Sequence, residues 1–277
     1  MANLRDRARY LMLRSPVARA FKAATVRKRW REVEARRRLA SELPSDEAIT
    51  DLCTRFGRDG MVFLDELIDI DLVAELADAA MIKLARGDSA LAEAPPGVSR
   101  KDFWRRLLDD ELVEGRLRAD SVFARFALQP RLLSFVARSM GGLPQLDYVL
   151  LTHSIPTDAP LAQSQLWHRD HDDTRTIKVF VYLTPVESEG DGPFTLIPGP
   201  CSDRMGHTLR SHMSDEAVFR RLEKTSVKTL QAPRLACFAV ETSRCLHMGS
   251  RVSPGHRRLL YTATYTSFPN LLGRDPR

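Results

Sequence analysis

The residues with most chemical potential are Trp167-His168-Arg169-Asp170, just ahead of a β-rich stretch at 177–184. His168 and Asp170 are two apart, and in an extended chain that spacing puts both side chains on one face. An imidazole and a carboxylate side by side offer two of the three ligands of a facial metal site. The best source of the third is Cys245-Leu246-His247-Met248-Gly249, where His247 follows a predicted strand. Two histidines and one carboxylate on one face of an octahedral ion leave three open positions, the arrangement of non-haem Fe(II) oxygenases. An isolated His-x-Asp is more often a surface pair, so its weight depends on what accompanies it.

Arg258 lies eleven residues beyond His247, at the start of a predicted strand at 259–266. A guanidinium there could hold a dicarboxylate by a bidentate, charge-assisted pair. A dicarboxylate that also chelates iron is what 2-oxoglutarate would be. Arg257 falls on the opposite face. Lys178, Phe180, Tyr182 and Thr184 alternate with Ile177, Val179, Val181 and Leu183, so one set faces inward. If that set is the lysine's, Lys178 aids a carboxylate of cosubstrate or substrate; an edge lysine in solvent is the equal alternative. His171 competes with His168 as a ligand, although the i, i+2 spacing favours His168. Asp172 and Asp173 read as loop acids and, less readily, as substitutes for Asp170. His153, His207, His212 and His256 have no partner spacing and read as surface or core residues. Cys245 reads as a small packed residue. Arg169, Arg175 and Arg251 flank the ligand segments as solvated loop residues that could draw an anionic substrate.

These residues need a scaffold. Ser45 can cap a helix with Ile49, Leu52, Cys53 and Phe56 on its apolar face. Asp71 can cap a second helix, stopped by Gly87. Residues 94–97 read as a loop, 103–112 as helix, and 121–140 as helix interrupted near Pro130. From about residue 145 the texture turns to β: 145–154, 177–184, 194–197, 235–240 and 259–266, separated by turn residues. Short strands with turn chemistry between them suggest a sandwich or barrel, not a parallel sheet with crossover helices.

Composition narrows the class. The 277 residues are 43% hydrophobic and 28% charged, which argues against a disordered or fibrous chain. No run reaches the ~18–20 apolar residues of a membrane span, and the first residues lack a secretory signal's apolar stretch. Four cysteines without CxxC spacing read as reduced thiols of a cytoplasmic protein. The net charge of +6 is unevenly spread. Residues 1–41 carry 13 Lys and Arg against three acids, a net +10, while the remainder is net −4. A nucleic-acid binder carries its basic charge on the folded body, so no nucleic-acid partner is expected. The arm reads as helical with a break at Pro16. It either packs on the body by one stripe or touches an anionic membrane or acidic partner.

Taken together, the segments resemble the phytanoyl-CoA dioxygenase family of Fe(II)/2-oxoglutarate-dependent oxygenases. The matching stretches are Trp167-His-Arg-Asp-His, Lys178-Val-Phe-Val-Tyr-Leu-Thr-Pro-Val, Gly190-Asp-Gly-Pro-Phe-Thr-Leu-Ile-Pro-Gly199, and His247-Met-Gly-Ser-Arg followed by Arg258. Phe56-Gly-Arg-Asp-Gly-Met-Val-Phe-Leu is also similar to the family's first helix and strand. The resemblance spans roughly 45–268. Where the family often continues Pro-Gly-Ser-His, this chain has Pro198-Gly-Pro-Cys201. Asp170 stands where related halogenases have a small residue, which disfavours halogenation.

The resemblance implies a mainly β (α+β) fold: a double-stranded β-helix (jelly roll, cupin-like) with N-terminal helices packed on the barrel. It implies an organisation of 1–41 as a basic helical arm and 42–277 as one oxygenase domain, mostly helical over 42–144 with the jelly-roll core over 145–277. It implies that His168, Asp170 and His247 bind Fe(II) and that Arg258 grips 2-oxoglutarate, with O2 as the other cosubstrate and ascorbate as an in vitro reductant. The reaction is then most simply hydroxylation of a small or carrier-linked organic substrate, with release of succinate and CO2. The alternative is a catalytically silent jelly roll that binds metal or a small ligand.

Overall fold

The computed structural model describes residues 12, 15–92, 103–113, 116–206 and 211–271. The first eleven residues of the arm, the expected loop at 94–97 and His207 lie outside them. Two arm helices, α1 (Pro16–Lys28) and α2 (Trp30–Ser41), precede α3 (Glu47–Asp59), β1 (Met61–Phe63) and α4 (Ile70–Ala92). After β2 (Trp104–Arg106), a two-stranded ribbon forms from β3 (Leu112–Val113) and β4 (Arg116–Leu117), followed by α5 (Val122–Ala127) and α6 (Pro130–Met140). The β-rich half contains β5 (Gln145–Ser154), β6 (Trp167–His168), β7 (Thr176–Tyr182), β8 (Phe194–Ile197), α7 (Gly199–Arg204), β9 (His212–Met213) and α8 (Asp215–Phe219). It ends with β10 (Lys228–Leu230), β11 (Cys237–Val240), β12 (Leu246–Met248) and β13 (Arg258–Thr266). Among the described residues no helix is long and apolar enough to cross a membrane.

Two antiparallel sheets form the body. One has the order β1-β11-β7-β13-β5-β2 and the other β10-β8-β12-β6-β9. The period-2 pattern of β7 sorts its side chains as the alternation requires. Ile177, Val179 and Val181 join the apolar faces of α3, α4, α5 and α6 on the outside of the six-stranded sheet. Phe180 and Tyr182 join Phe194, Leu196, Phe238 and Leu260 between the sheets. On the outer side, Tyr261 and Tyr265 donate to Phe123 O and Ala127 O at 2.6 and 2.7 Å, fastening α5 to β13.

Several local expectations are corrected. Residues 103–112 form no α-helix; they hold a short strand and a single 3-10 turn at Asp109–Glu111. Trp104–Arg106 pair with Ser154, His153 and Thr152 along the edge of β5, where ladder hydrogen bonds override helix propensity. Asp46, not Ser45, caps α3, its Oδ1 accepting from Ile49 N at 2.9 Å. Asp69, not Asp71, caps the start of α4 by accepting from Asp71 N and Leu72 N. Gly87 does not stop α4. A Cβ there would meet Leu107 Cδ2 at 2.7 Å, so the glycine serves close packing inside the helix.

Tyr182 ties the two sheets together. Its hydroxyl donates to Leu230 O at 2.9 Å and accepts from Phe194 N at 2.8 Å, fully buried. Tyr182→Phe leaves a carbonyl and an amide without that partner. Urea unfolding should show a loss of about 2 kcal/mol; a loss under ~0.5 kcal/mol would mean that the bridge carries no stability.

Candidate metal centre

β6 and β12 are neighbours in the five-stranded sheet, and His168 is the direct cross-strand partner of His247. Their rings stand 4.2 Å apart between centroids. Each imidazole is turned by the same local device. Nδ1 of His168 meets Leu166 O at 2.9 Å, and Nδ1 of His247 meets Cys245 O at 3.0 Å, each two residues back in the chain, just before its strand begins. With the Nδ1–H donating, each Nε2 presents a lone pair. Both lone pairs face Asp170: His168 Nε2 is 3.8 Å from Oδ1, and His247 Nε2 is 3.7 Å from Oδ2. Asp170 is placed by its own backbone, whose N–H donates to Thr242 O at 2.9 Å beyond the end of β11. The three ligand atoms lie within 4.8 Å of one another.

The electrostatics suit a cation. Burial, then His247, holds the His168 imidazole down to about 3; burial also lowers His247. Both rings are neutral at pH 7. Burial by itself would raise the Asp170 carboxyl, but Lys178, then His247 and His168, pull it well below the usual carboxylate range. Lys178 Nζ stands 2.8 Å from Asp170 Oδ2 as an ion pair, and the buried Oδ2 accepts no hydrogen bond. Burial disfavours the Lys178 charge, yet Asp170, Tyr148 and Asp172 hold its pKa well above the ordinary value. Two unprotonated Nε2 atoms and one carboxylate, whose Oδ2 accepts no hydrogen bond, are a donor set that fits a divalent metal ion.

Arg258 is 2% exposed. Its Nη1 donates to Gly192 O, and its Nη2 donates to Ser250 Oγ at 2.7 Å and lies 3.5 Å from Ser154 Oγ. Its Nε has no hydrogen-bond partner. All these acceptors are neutral, and among the described residues no carboxylate pairs with it. A Cβ on Gly249 would meet Arg258 Nη1 at 3.3 Å, so the guanidinium packs two residues along from His247. A buried cation with neutral partners is costly unless an anion joins it.

Other candidates fall into place around this cluster. Lys178 faces inward, against Asp170 and 3.7 Å from Asp172, not beside Arg258. Arg257 is exposed, on the face opposite Arg258. His171 lies outside the three-residue cluster and lines a cavity of about 330 Å³ that also reaches Asp170. Asp172 accepts from Tyr148 Oη at 3.2 Å. Cys245 is fully buried, with its Sγ where a Cβ on Gly60 would stand. His256 pairs with Asp191 at 2.9 Å at the surface, and His153 is buried.

The three flanking arginines are all paired, Arg169 in the interior and Arg175 and Arg251 partly exposed. Arg169 is 3% exposed and donates to the carbonyls of Arg244, Gly206 and Ser202. Arg175 pairs with Glu241, and Arg251 with Asp215. Their charge is spent on holding loops together. Asp173 is likewise no free loop acid: it is buried against Lys22 of the arm. His212 is the cross-strand partner of His168 on β9, its ring stacked 5.2 Å away. A two-residue strand leaves no periodicity by which sequence could place it.

The pH dependence follows from these shifts. An unfolded histidine takes its proton near 6.5 and an unfolded aspartate near 3.9. Between about pH 6.5 and 3 the unfolded chain therefore binds protons that buried His168 refuses, and stability falls as pH falls through that window. Asp170 adds stability that is present above ~3.9 and lost below it. In metal-free protein the urea midpoint should drop from pH 6.5 to 4.5, and His168→Gln should flatten that slope; an unchanged slope would mean that His168 is not held neutral.

The chain matches no protein-family model and no curated protein. Among solved structures it is similar to EctD from S. alaskensis with bound Fe, at 17% identity and a TM-score of 0.57 over 82% of this chain and 80% of that one. It is similar to SnoN, a non-heme alpha ketoglutarate dependent epimerase from nogalamycin biosynthesis, at 20% and 0.55 over 79% and 83%. HygX from Streptomyces hygroscopicus, with nickel and 2-oxoglutarate bound, matches at 19% and 0.51 over 79% and 87%. At these identities the likeness is one of fold: two antiparallel sheets with helices, shared with proteins that bind such metals and 2-oxoglutarate.

Proposed function

We propose that this chain is a non-haem Fe(II)- and 2-oxoglutarate-dependent oxygenase, similar to the phytanoyl-CoA dioxygenase family. In this reading residues 42–277 form one domain built on a double-stranded β-helix of the jelly-roll type, working in the cytoplasm. The reaction is hydroxylation of a small or carrier-linked organic substrate with release of succinate and CO2. The observation that carries it is the convergence of His168 and His247 Nε2 on the Asp170 carboxylate. The buried Arg258 without an acidic partner supports it. So do the Fe and 2-oxoglutarate bound by the neighbours of like fold.

His168, Asp170 and His247 would hold the iron on one face. Iron bound there supplies the oxidising power, drawn from O2 and 2-oxoglutarate, that no side chain has. The protein's own part is placement. Arg258 takes the distal carboxylate of 2-oxoglutarate, and Ser250, Ser154 and Gly192 O fix its fork. Phe194 stacks on His247 at 5.3 Å and packs with Phe180, a dry wall that keeps bulk water from the cluster. Lys178 lies beside Asp170 Oδ2 and keeps that carboxyl ionised.

Purified protein given Fe(II), 2-oxoglutarate and ascorbate should form succinate slowly even without its own substrate. His168→Ala, Asp170→Ala and His247→Ala should each abolish it and weaken Co(II) binding by roughly 10–100-fold or more. Arg258→Met should keep Co(II) binding but raise the KM for 2-oxoglutarate at least ~30-fold. Co(II) binding without succinate would favour the silent metal-binding jelly roll, and no Co(II) binding would end the metal reading altogether.

A further inference from the structure

The described part of the basic arm, from residue 15 on, does not stand away from the body. Lys22 of α1 reaches the segment that follows Asp170. Its Nζ lies 2.5 Å from Asp173 Oδ2 and 3.0 Å from Ser267 O, and it also donates to Pro269 O. Three donors thus meet three acceptors. Asp173 is equally well served: Ser267 Oγ donates to Oδ2 at 3.0 Å, and Leu271 N lies 3.3 Å from Oδ1. The two side chains are 14% and 0% exposed.

The segment 170–175 has no regular secondary structure, and Asp170 sits at its head. It is pinned by Asp170 N on Thr242 O, by Asp172 against Tyr148 and Lys178, by Asp173 on Lys22, and by Arg175 on Glu241. Of these partners only Lys22 comes from outside the β-rich half. The rest of the arm is seated to match. Arg29 and Arg36 stand 4.6 and 4.1 Å over the ring of Phe268, and Arg36 also donates to Leu143 O and Pro144 O. Ala18 and Val33 are buried. Arg19, on the turn before Lys22, joins the wall of the cavity that reaches Asp170.

We propose that the N-terminal arm is a strap for the metal centre: through Lys22 it clamps Asp173 and the end of β13, and so positions the segment that carries Asp170. The proposal rests on Asp170 being a metal ligand, as read above. Lys22 is a positioning residue, since it touches neither the cluster nor Arg258. A strap of this kind ties the quality of the centre to the docking of the arm.

The test uses the full chain and two readouts: hydrogen exchange over 170–175 and 266–271, and Co(II) titration. Lys22→Met should speed exchange in both segments about tenfold and weaken Co(II) binding roughly tenfold or more. The double variant Lys22→Met/Asp173→Asn removes the clamp without leaving a buried acid unpaired, and it should stay impaired in both readouts. Restoration to wild-type values would mean that only the orphaned charge mattered, and would overturn the strap. So would exchange within twofold of wild type in Lys22→Met, or faster exchange with unchanged Co(II) affinity. If Lys22→Met does not fold, Arg36→Ala takes its place; it frees the arm without unpairing an acid and should loosen the same two segments, and unchanged exchange there overturns the strap. A wild type that binds no Co(II) sinks the metal reading instead, and the clamp is then judged on exchange alone.

Discussion

The arrangement depends on one backbone register. β6 and β12 pair so that His168 and His247 stand directly opposite each other. In an antiparallel pair, opposed side chains leave the same face. A slip of one residue would send one imidazole to the outer face, where Trp167, Ile197 and Leu246 pack. The apolar content of that outer face therefore enforces the position of the histidines. Asp170 then needs only two more residues of chain and one backbone hydrogen bond to reach both rings.

The same local geometry acts twice. In each case the Nδ1 of a histidine is bound to the carbonyl two residues earlier, which leaves Nε2 as the free base. The carbonyl lies just before the strand that carries the ring, so ring orientation is decided locally, while ring proximity is decided by the sheet. Burial then keeps both rings uncharged, because water is not there to solvate an imidazolium.

Charge is distributed by function across the interior. Arg169 is satisfied by three carbonyls, Arg175 and Arg251 by acids, and Lys178 by Asp170. Arg258 differs, since it is buried and, among the described residues, meets neutral acceptors and no carboxylate. Folding alone gives little reason to place a guanidinium there, because an apolar residue of that size would avoid the desolvation cost. In the proposed function, the distal carboxylate of 2-oxoglutarate would supply the reason.

Much of this was legible in the chain itself. The alternation in β7, the strand at 194–197 and the pairing of His168 with Asp170 are local patterns, and local patterns survive folding. The stretch 103–112 was not legible, since its strand exists only because β5 offers an edge. The arginines at 169, 175 and 251 looked solvated because their partners lie 33 or more residues away. Asp173 looked like a loop acid for the same reason, its partner lying 151 residues back. Sequence alone determined which side chains could ligate, the faces they share within a strand, and the basic character of the arm, because these depend on residue type and short spacing. Tertiary structure alone decided that His212 stacks on His168, that Arg258 is buried among neutral acceptors, and that Lys22 reaches the segment behind Asp170. Those facts arise from strand register and helix docking, which bring together residues that no spacing along the chain connects.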